Sequence, residues 1–80
     1  MVYGRVYSPE GVFRPGDRFD LKDAQGKKVR EVTTDNDRSY SIVIPEGTYR
    51  VEFTREGKSW GAWIESFPQS IRQDINLTPK

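Results

Sequence analysis

The sequence predicts an all-β domain, a sandwich or barrel of seven short strands, and three observations predict it. Apolar and polar side chains alternate with a period of two along most of the chain, the signature of half-buried strands. Turn-forming clusters of Gly, Pro, Asp, Asn and Ser recur every ten residues or so. No segment carries the i, i+3, i+4 pattern of an amphipathic helix.

The first strand opens the chain, with Val2, Gly4 and Val6 alternating against Tyr3, Arg5 and Tyr7. A glycine on the inward face marks a close approach by another element, or a bend. Ser8-Pro9-Glu10-Gly11 ends this strand with turn chemistry, and Val12 to Gly16 forms a loop whose Phe13 tucks under the end of the fold. Arg18 to Lys22 is the second strand, with Phe19 and Leu21 inward, and residues 23–27 make a hairpin turn. The third strand runs from Lys28 to Thr34. Val29 and Val32 lie three apart, so either the strand carries a bulge or Val29 belongs to the turn. Asp35 to Ser39 is the next turn.

Residues 40–53 are the most regular part of the chain. Tyr40, Ile42 and Ile44 fall on one face, and after Pro45-Glu46-Gly47-Thr48 the residues Tyr49, Val51 and Phe53 do the same. Pro45 has no N–H for a ladder and Gly47 accepts a positive φ, so the link is a turn with a physical cause. The two strands either pair as a hairpin or pass from one sheet to the other, as connections in Greek-key sandwiches do. Tyr49 has two readings: a core aromatic, or a corner tyrosine whose hydroxyl bonds back to nearby backbone. A further hairpin turn at 54–58 leads to a strand over 59–65, with Trp60, Ala62 and Ile64 inward and Trp63 outward. After a connection at Phe67-Pro68-Gln69 the seventh strand covers 71–77, with Ile71, Gln73, Ile75 and Leu77 on one face and Thr78-Pro79-Lys80 as a tail.

Eighty residues make one small domain. Thirteen basic and twelve acidic side chains nearly cancel, which argues against a nucleic-acid partner, since such binders carry a basic excess. No apolar run reaches membrane-spanning length and no signal peptide is legible, so no membrane insertion is expected and no compartment is assigned. The chain has no histidine and no cysteine. That removes Ser-His and Cys-His nucleophile pairs and the usual zinc ligand sets. Asp35, Asp37 and Glu46 match three positions of a calcium loop by count, but the glycine that loop requires falls on Tyr40. A looser cation site at the Asp35–Asp37 turn competes with plain Asx-turn bonding to backbone. No catalytic residue, cofactor or metal is expected.

The pattern resembles the carboxypeptidase regulatory-like domain family, whose relatives include the collagen-adhesin B-type repeats. The resemblance rests on Val2-x-Gly4-x-Val6, Gly11, Pro15-Gly16, Phe19-x-Leu21, Gly26, Thr33-Thr34-Asp35, Tyr40-Ser41-Ile42, Ile44-Pro45-x-Gly47-Thr48-Tyr49-x-Val51, Gly57 and Ile75-x-Leu77. It departs from the family at Asp37-Arg38-Ser39, where glycine is usual and where Asn36 or Asp37 would take the left-handed conformation, and at Asp17, where alanine is common. The resemblance implies a seven-stranded antiparallel Greek-key β-sandwich of transthyretin-like type over residues 1–80, and a module without catalysis. The lysine–asparagine isopeptide bond that some adhesin repeats carry is not expected, because the first strand offers Arg5.

Surface recognition is what remains. Tyr3, Arg5 and Tyr7 form an outward stripe on the first strand, and Trp63 stands outward on the sixth. Tyr, Trp and Arg are enriched at binding hot spots, although outward aromatics also pair across strands to stabilise a sheet. The leading expectation is a structural or assembly module whose partner is another protein or a second copy. The alternatives are a carbohydrate-binding module using Trp63, alone or with Trp60, and a regulatory accessory domain of a larger peptidase or surface protein.

Overall fold

The computed structural model describes residues 1–80 and is all-β, with nine strand segments and one short 3-10 turn at Pro9–Gly11. The strands are β1 (Val2–Tyr7), β2 (Arg18–Lys22), β3 (Lys28–Thr33), β4 (Ser39–Ile42), β5 (Gly47–Arg55), β6 (Lys58–Ser66), β7 (Ile71–Arg72), β8 (Ile75–Asn76) and β9 (Thr78–Pro79). They form two sheets. The larger has the order β3-β2-β5-β6-β9; in the smaller, β1 lies between β4 on one side and β7 and β8 on the other. The sheets stack as a sandwich over a core of 15 side chains. Val2, Val6, Tyr40, Ile42 and Ile75 come from the smaller sheet, and Phe19, Leu21, Val32, Tyr49, Val51, Phe53, Trp60 and Ile64 from the larger. Along β1, β2, β4 and β5 every second residue points inward, because successive side chains on a strand point to opposite faces.

Phe13 plugs one end. It is 1 % exposed and its ring meets Phe53 edge-on at 4.9 Å between centroids. The loop that carries it is tied down by Arg55, which donates to the Val12 carbonyl at 2.8 Å and pairs with Asp17 at 2.8 Å. In the hairpin of β2 and β3 the register slips between Leu21 and Lys22, so Val29 is the extra residue of a bulge and stays exposed while Val32 is buried.

β4 and β5 lie in different sheets, so residues 43–46 cross between sheets and do not close a hairpin. Tyr49 pins that crossing: its hydroxyl donates to the Pro45 carbonyl at 2.7 Å while its ring remains in the core. In the preceding turn the left-handed residue is Arg38, at φ 62°, and not Asn36 or Asp37. The cause is Asp35, whose Oδ1 accepts the backbone N–H of Asp37 at 2.8 Å and of Ser39 at 2.9 Å. With both neighbours fixed, the chain reverses at the residue between them.

The C-terminal stretch differs most from expectation. The strand expected over 71–77 is broken into β7 and β8, the expected tail forms β9, and the pairing is not purely antiparallel, because β7 and β8 run parallel to β1. A parallel neighbour requires a connection longer than a hairpin, and here residues 8–70 separate β1 from β7, the last of them, 67–70, crossing from β6 to the smaller sheet. The break falls at Asp74, whose Oδ1 takes the Arg5 N–H at 3.0 Å in place of a ladder carbonyl. Gly4 faces this point. A Cβ there would overlap the Gln73 carbonyl and come within 2.8 Å of the Asp74 carboxylate, which is the close approach that the inward glycine foretells.

Candidate functional site

The outward residues separate into two surfaces on opposite sides of the sandwich. β1 carries Tyr3, Arg5 and Tyr7 on the outer face of the smaller sheet, where Tyr3 and Tyr7 are 39 % and 37 % exposed. Their neighbours across the β1–β4 ladder are Ser41, opposite Tyr3, and Ser39, opposite Arg5. Arg72 sits opposite Tyr3 on β7. The Arg38 guanidinium lies 5.6 Å from the Tyr7 ring centroid, a cation–π contact that fixes that ring. Neither Arg5 nor Arg38 forms an ion pair, so two guanidiniums are free for a partner. Met1 and Val43, both exposed, extend the apolar part beside Tyr3. A shallow hollow of about 300 Å³ between Tyr3, Arg5, Ser39 and Arg72 lies within this face.

Trp63 is on the outer face of the larger sheet and is not brought near that stripe. It is 60 % exposed, and Arg50, its partner across the β5–β6 ladder, stacks on the ring at 4.8 Å. Trp60 is only 8 % exposed and packs against Phe53, so it is a core residue and offers no stacking platform. Two residues that the sequence reading did not select join Trp63. Phe67 lies in the link after β6, and Ile71 sits at the sandwich rim, 36 % exposed, whereas Ile75 and Leu77, expected on the same face, are buried. With Thr48, Glu65 and Gln73 they line a concavity of about 280 Å³.

The backbone beside Trp63 is unusual. β5 and β6 close across a two-residue turn with Arg55 opposite Lys58, so Ser59, Gly61, Trp63 and Glu65 direct their backbone polar groups away from β5. The Ser59 carbonyl receives the Lys80 N–H at 3.1 Å, and the Gly61 carbonyl receives the Thr78 hydroxyl at 3.2 Å. At Glu65 the Gln73 side chain stands in for a strand: its Oε1 accepts the Glu65 N–H at 3.0 Å and its Nε2 donates to the Glu65 carbonyl. Trp63 alone keeps its N–H and C=O on the open edge.

The rest of the larger sheet's outer face is a mat of ion pairs: Arg18 with Glu31, Lys28 with Asp20 and Glu31, and Glu52 with Lys22 and Lys80. Burial raises the Glu52 pKa, but Lys80 and Lys22 outweigh it, so the carboxyl titrates below its ordinary value. Asp17 behaves alike: burial raises it, and the Arg55 hydrogen bond with the Arg14 N–H brings it below normal. Asp35 is lowered by the backbone N–H groups of Ser39 and Asp37, which commits it to the Asx-turn role. Each perturbed carboxylate is thus explained by a partner that shapes the fold. No group of three or more acidic side chains is arranged to hold a metal ion, and no helix is long and apolar enough to cross a membrane.

A scan against protein-family models finds no match, and a search of curated proteins finds no sequence relative.

Proposed function

We propose that this domain is a non-enzymatic assembly module that associates with another protein, or with a second copy of itself, through the outer face of its smaller sheet. The observation that carries the reading is the composition of that face: Tyr3, Tyr7, Met1 and Val43 exposed around the free guanidiniums of Arg5 and Arg38. Tyr, Met and Arg are the residues that interface cores favour, and the ion-paired part of the opposite face, away from Trp63, lacks this character. Within this reading the fold is a seven-stranded Greek-key sandwich of transthyretin-like type, with β7 and β8 as one interrupted seventh strand beside β1 and β9 as a short addition to the edge of the larger sheet. The β4–β5 crossing pinned by Tyr49 supports that topology, and so does the resemblance to carboxypeptidase regulatory-like domains. The absence of histidine and cysteine from the sequence supports a role without catalysis.

The test compares wild type with Arg5→Glu and Tyr3→Ser in sedimentation across a hundredfold concentration range, and as baits in affinity capture from the source cell. Self-association or capture that both variants weaken supports the reading. A strict monomer whose captured set is the same for all three baits removes it.

A further inference from the structure

We propose that the concavity beside Trp63 is a second, independent site that binds a pyranose ring of a carbohydrate. The site is built from β6, the link after it and β7. Trp63 forms one wall. One face of its indole is covered by Arg50, which lines the neighbouring hollow with Thr78 and Lys80 and not this one. The ring is therefore held in place with its other side open to a ligand. Phe67 and Ile71 continue the apolar surface, and Thr48, Glu65 and Gln73 add polar groups at the rim. Glu65 has no ion-pair partner, so its carboxylate is free to accept hydroxyl donors. Gln73 spends one amide hydrogen on the Glu65 carbonyl and keeps the second.

Three arguments select the occupant. A protein strand would need a run of free backbone groups on β6, and the bonds from Lys80 to Ser59, Thr78 to Gly61 and Gln73 to Glu65 break any such run. A flat protein partner needs roughly 800 Å² on each side, whereas the apolar corner is confined to Trp63, Phe67 and Ile71 and gives way at once to the ion-paired mat. A concavity of about 280 Å³ instead matches a small ligand. A pyranose has weakly positive C–H groups on its faces, which pack on the negative face of an indole, and hydroxyls around its rim, which meet carboxylate, amide and hydroxyl groups. That alternation of apolar face and polar rim is what Trp63, Phe67, Glu65, Gln73 and Thr48 present.

The experiment titrates wild-type protein with a panel of soluble oligosaccharides of gluco, xylo, galacto and N-acetylglucosamine type, with a proline-rich peptide as a further probe. Binding is followed by calorimetry and by the NMR signal of the Trp63 indole N–H; Trp60 is a buried reference in the same spectra. Saturable binding to at least one oligosaccharide is expected, moving the Trp63 signal and leaving that of Trp60 in place. Trp63→Ala should weaken it at least tenfold and Glu65→Gln several-fold, with circular dichroism unchanged. Because Trp63 is exposed, the variant keeps its core; should it still fail to fold, the wild-type indole shift and the Glu65→Gln titration decide the matter. No binding across the panel, binding that leaves the Trp63 indole unmoved, or binding of the proline-rich peptide alone overturns the proposal. These outcomes are separate from those at Arg5 and Tyr3, on the opposite face.

Discussion

The two edges of the larger sheet solve the same problem by different means. At β3 the edge is guarded by charge: Lys28, Arg30 and Glu31 stand along it, Lys28 and Glu31 pair with Asp20 and Arg18 of β2, and the Val29 bulge interrupts the ladder. At β6 the guard is a strap. Residues 67–80 leave β6, run beside β1, and return as β9, closing the β6 edge at Ser59, Gly61 and Glu65. The first device lies in the strand's own residues. The second depends on residues distant from the edge in the fold's wiring, so β6 can keep a tryptophan and little charge near its end. A strap-guarded edge can carry a binding surface, whereas a charge-guarded one is committed to solvent.

Gly4 is the point at which this difference breaks most readily. An alanine there would drive its Cβ into the Gln73 carbonyl and force β1 and the strap apart. The cost should be about 1–3 kcal/mol, the range of overpacking in a tight site. Urea unfolding should show the loss, and hydrogen exchange should show faster exchange at Glu65 and Lys80 with β3 amides unchanged. Equal acceleration at both edges would mean that the strap does not guard β6.

Two buried tyrosine hydroxyls sharpen the point. Tyr40 donates to the Gln73 carbonyl, and burial raises its pKa far above the ordinary phenol value, with the Asp74 charge adding to the rise. Tyr49 donates to Pro45, away from both edges. Tyr40→Phe strands a carbonyl beside the core and should cost about 1–3 kcal/mol; Tyr49→Phe should cost about 0.5–1.5 kcal/mol. Only Tyr40→Phe should speed exchange at Glu65. If both variants do so, the strap and the β4–β5 crossing are one cooperative unit.

A smaller effect separates the guards themselves. Gln73→Ala removes both bonds to the Glu65 backbone and should cost about 1 kcal/mol, while promoting association at high protein concentration, since an edge is then unpaired. Lys28→Ala removes exposed ion pairs and should cost about 0–1 kcal/mol, with no association while Arg30 and Glu31 remain. Light scattering of the two variants side by side tests the contrast. Association of Lys28→Ala alone would reverse it.

This contrast explains what was legible in the sequence. Alternation placed Phe19, Leu21, Val51, Phe53, Trp60 and Ile64 inward correctly, because a period of two is local information. The inward Gly4 and the outward Trp63 were readable for the same reason, and the Phe13 plug as a large apolar residue inside a turn-rich loop. The strap was not. Ile71, Gln73, Ile75 and Leu77 alternate like one strand, but the Asp74 side chain replaces a ladder acceptor and splits it. Nothing in Gln73 announces that its amide imitates a peptide group, and so Phe67 and Ile71 were not seen beside Trp63. Side-chain bonds between residues far apart in sequence leave no periodic trace.

Acidity offers the mildest perturbation and reaches the strap through Asp74. Its pKa is lowered chiefly by the Arg5 backbone N–H, with Arg72 adding to it against a smaller opposing effect of desolvation. Asp35, Asp17 and Glu52 are lowered as well. A carboxyl whose folded pKa lies below its unfolded value leaves the native state with fewer bound protons than the unfolded chain. Its contribution is then fully present above the unfolded value, 3.8 for the aspartates and 4.5 for Glu52, and is lost as pH falls through the folded one. The chain has no histidine, so the melting midpoint should be nearly level from about pH 5 to 7 and decline below about pH 4. Asp74→Asn keeps an acceptor for the Arg5 N–H but cannot titrate, so it should flatten part of that decline and leave the β6 edge closed at low pH. A decline identical to wild type would place the acid sensitivity in Asp17, Asp35 and Glu52, and would leave the strap held by its uncharged bonds alone.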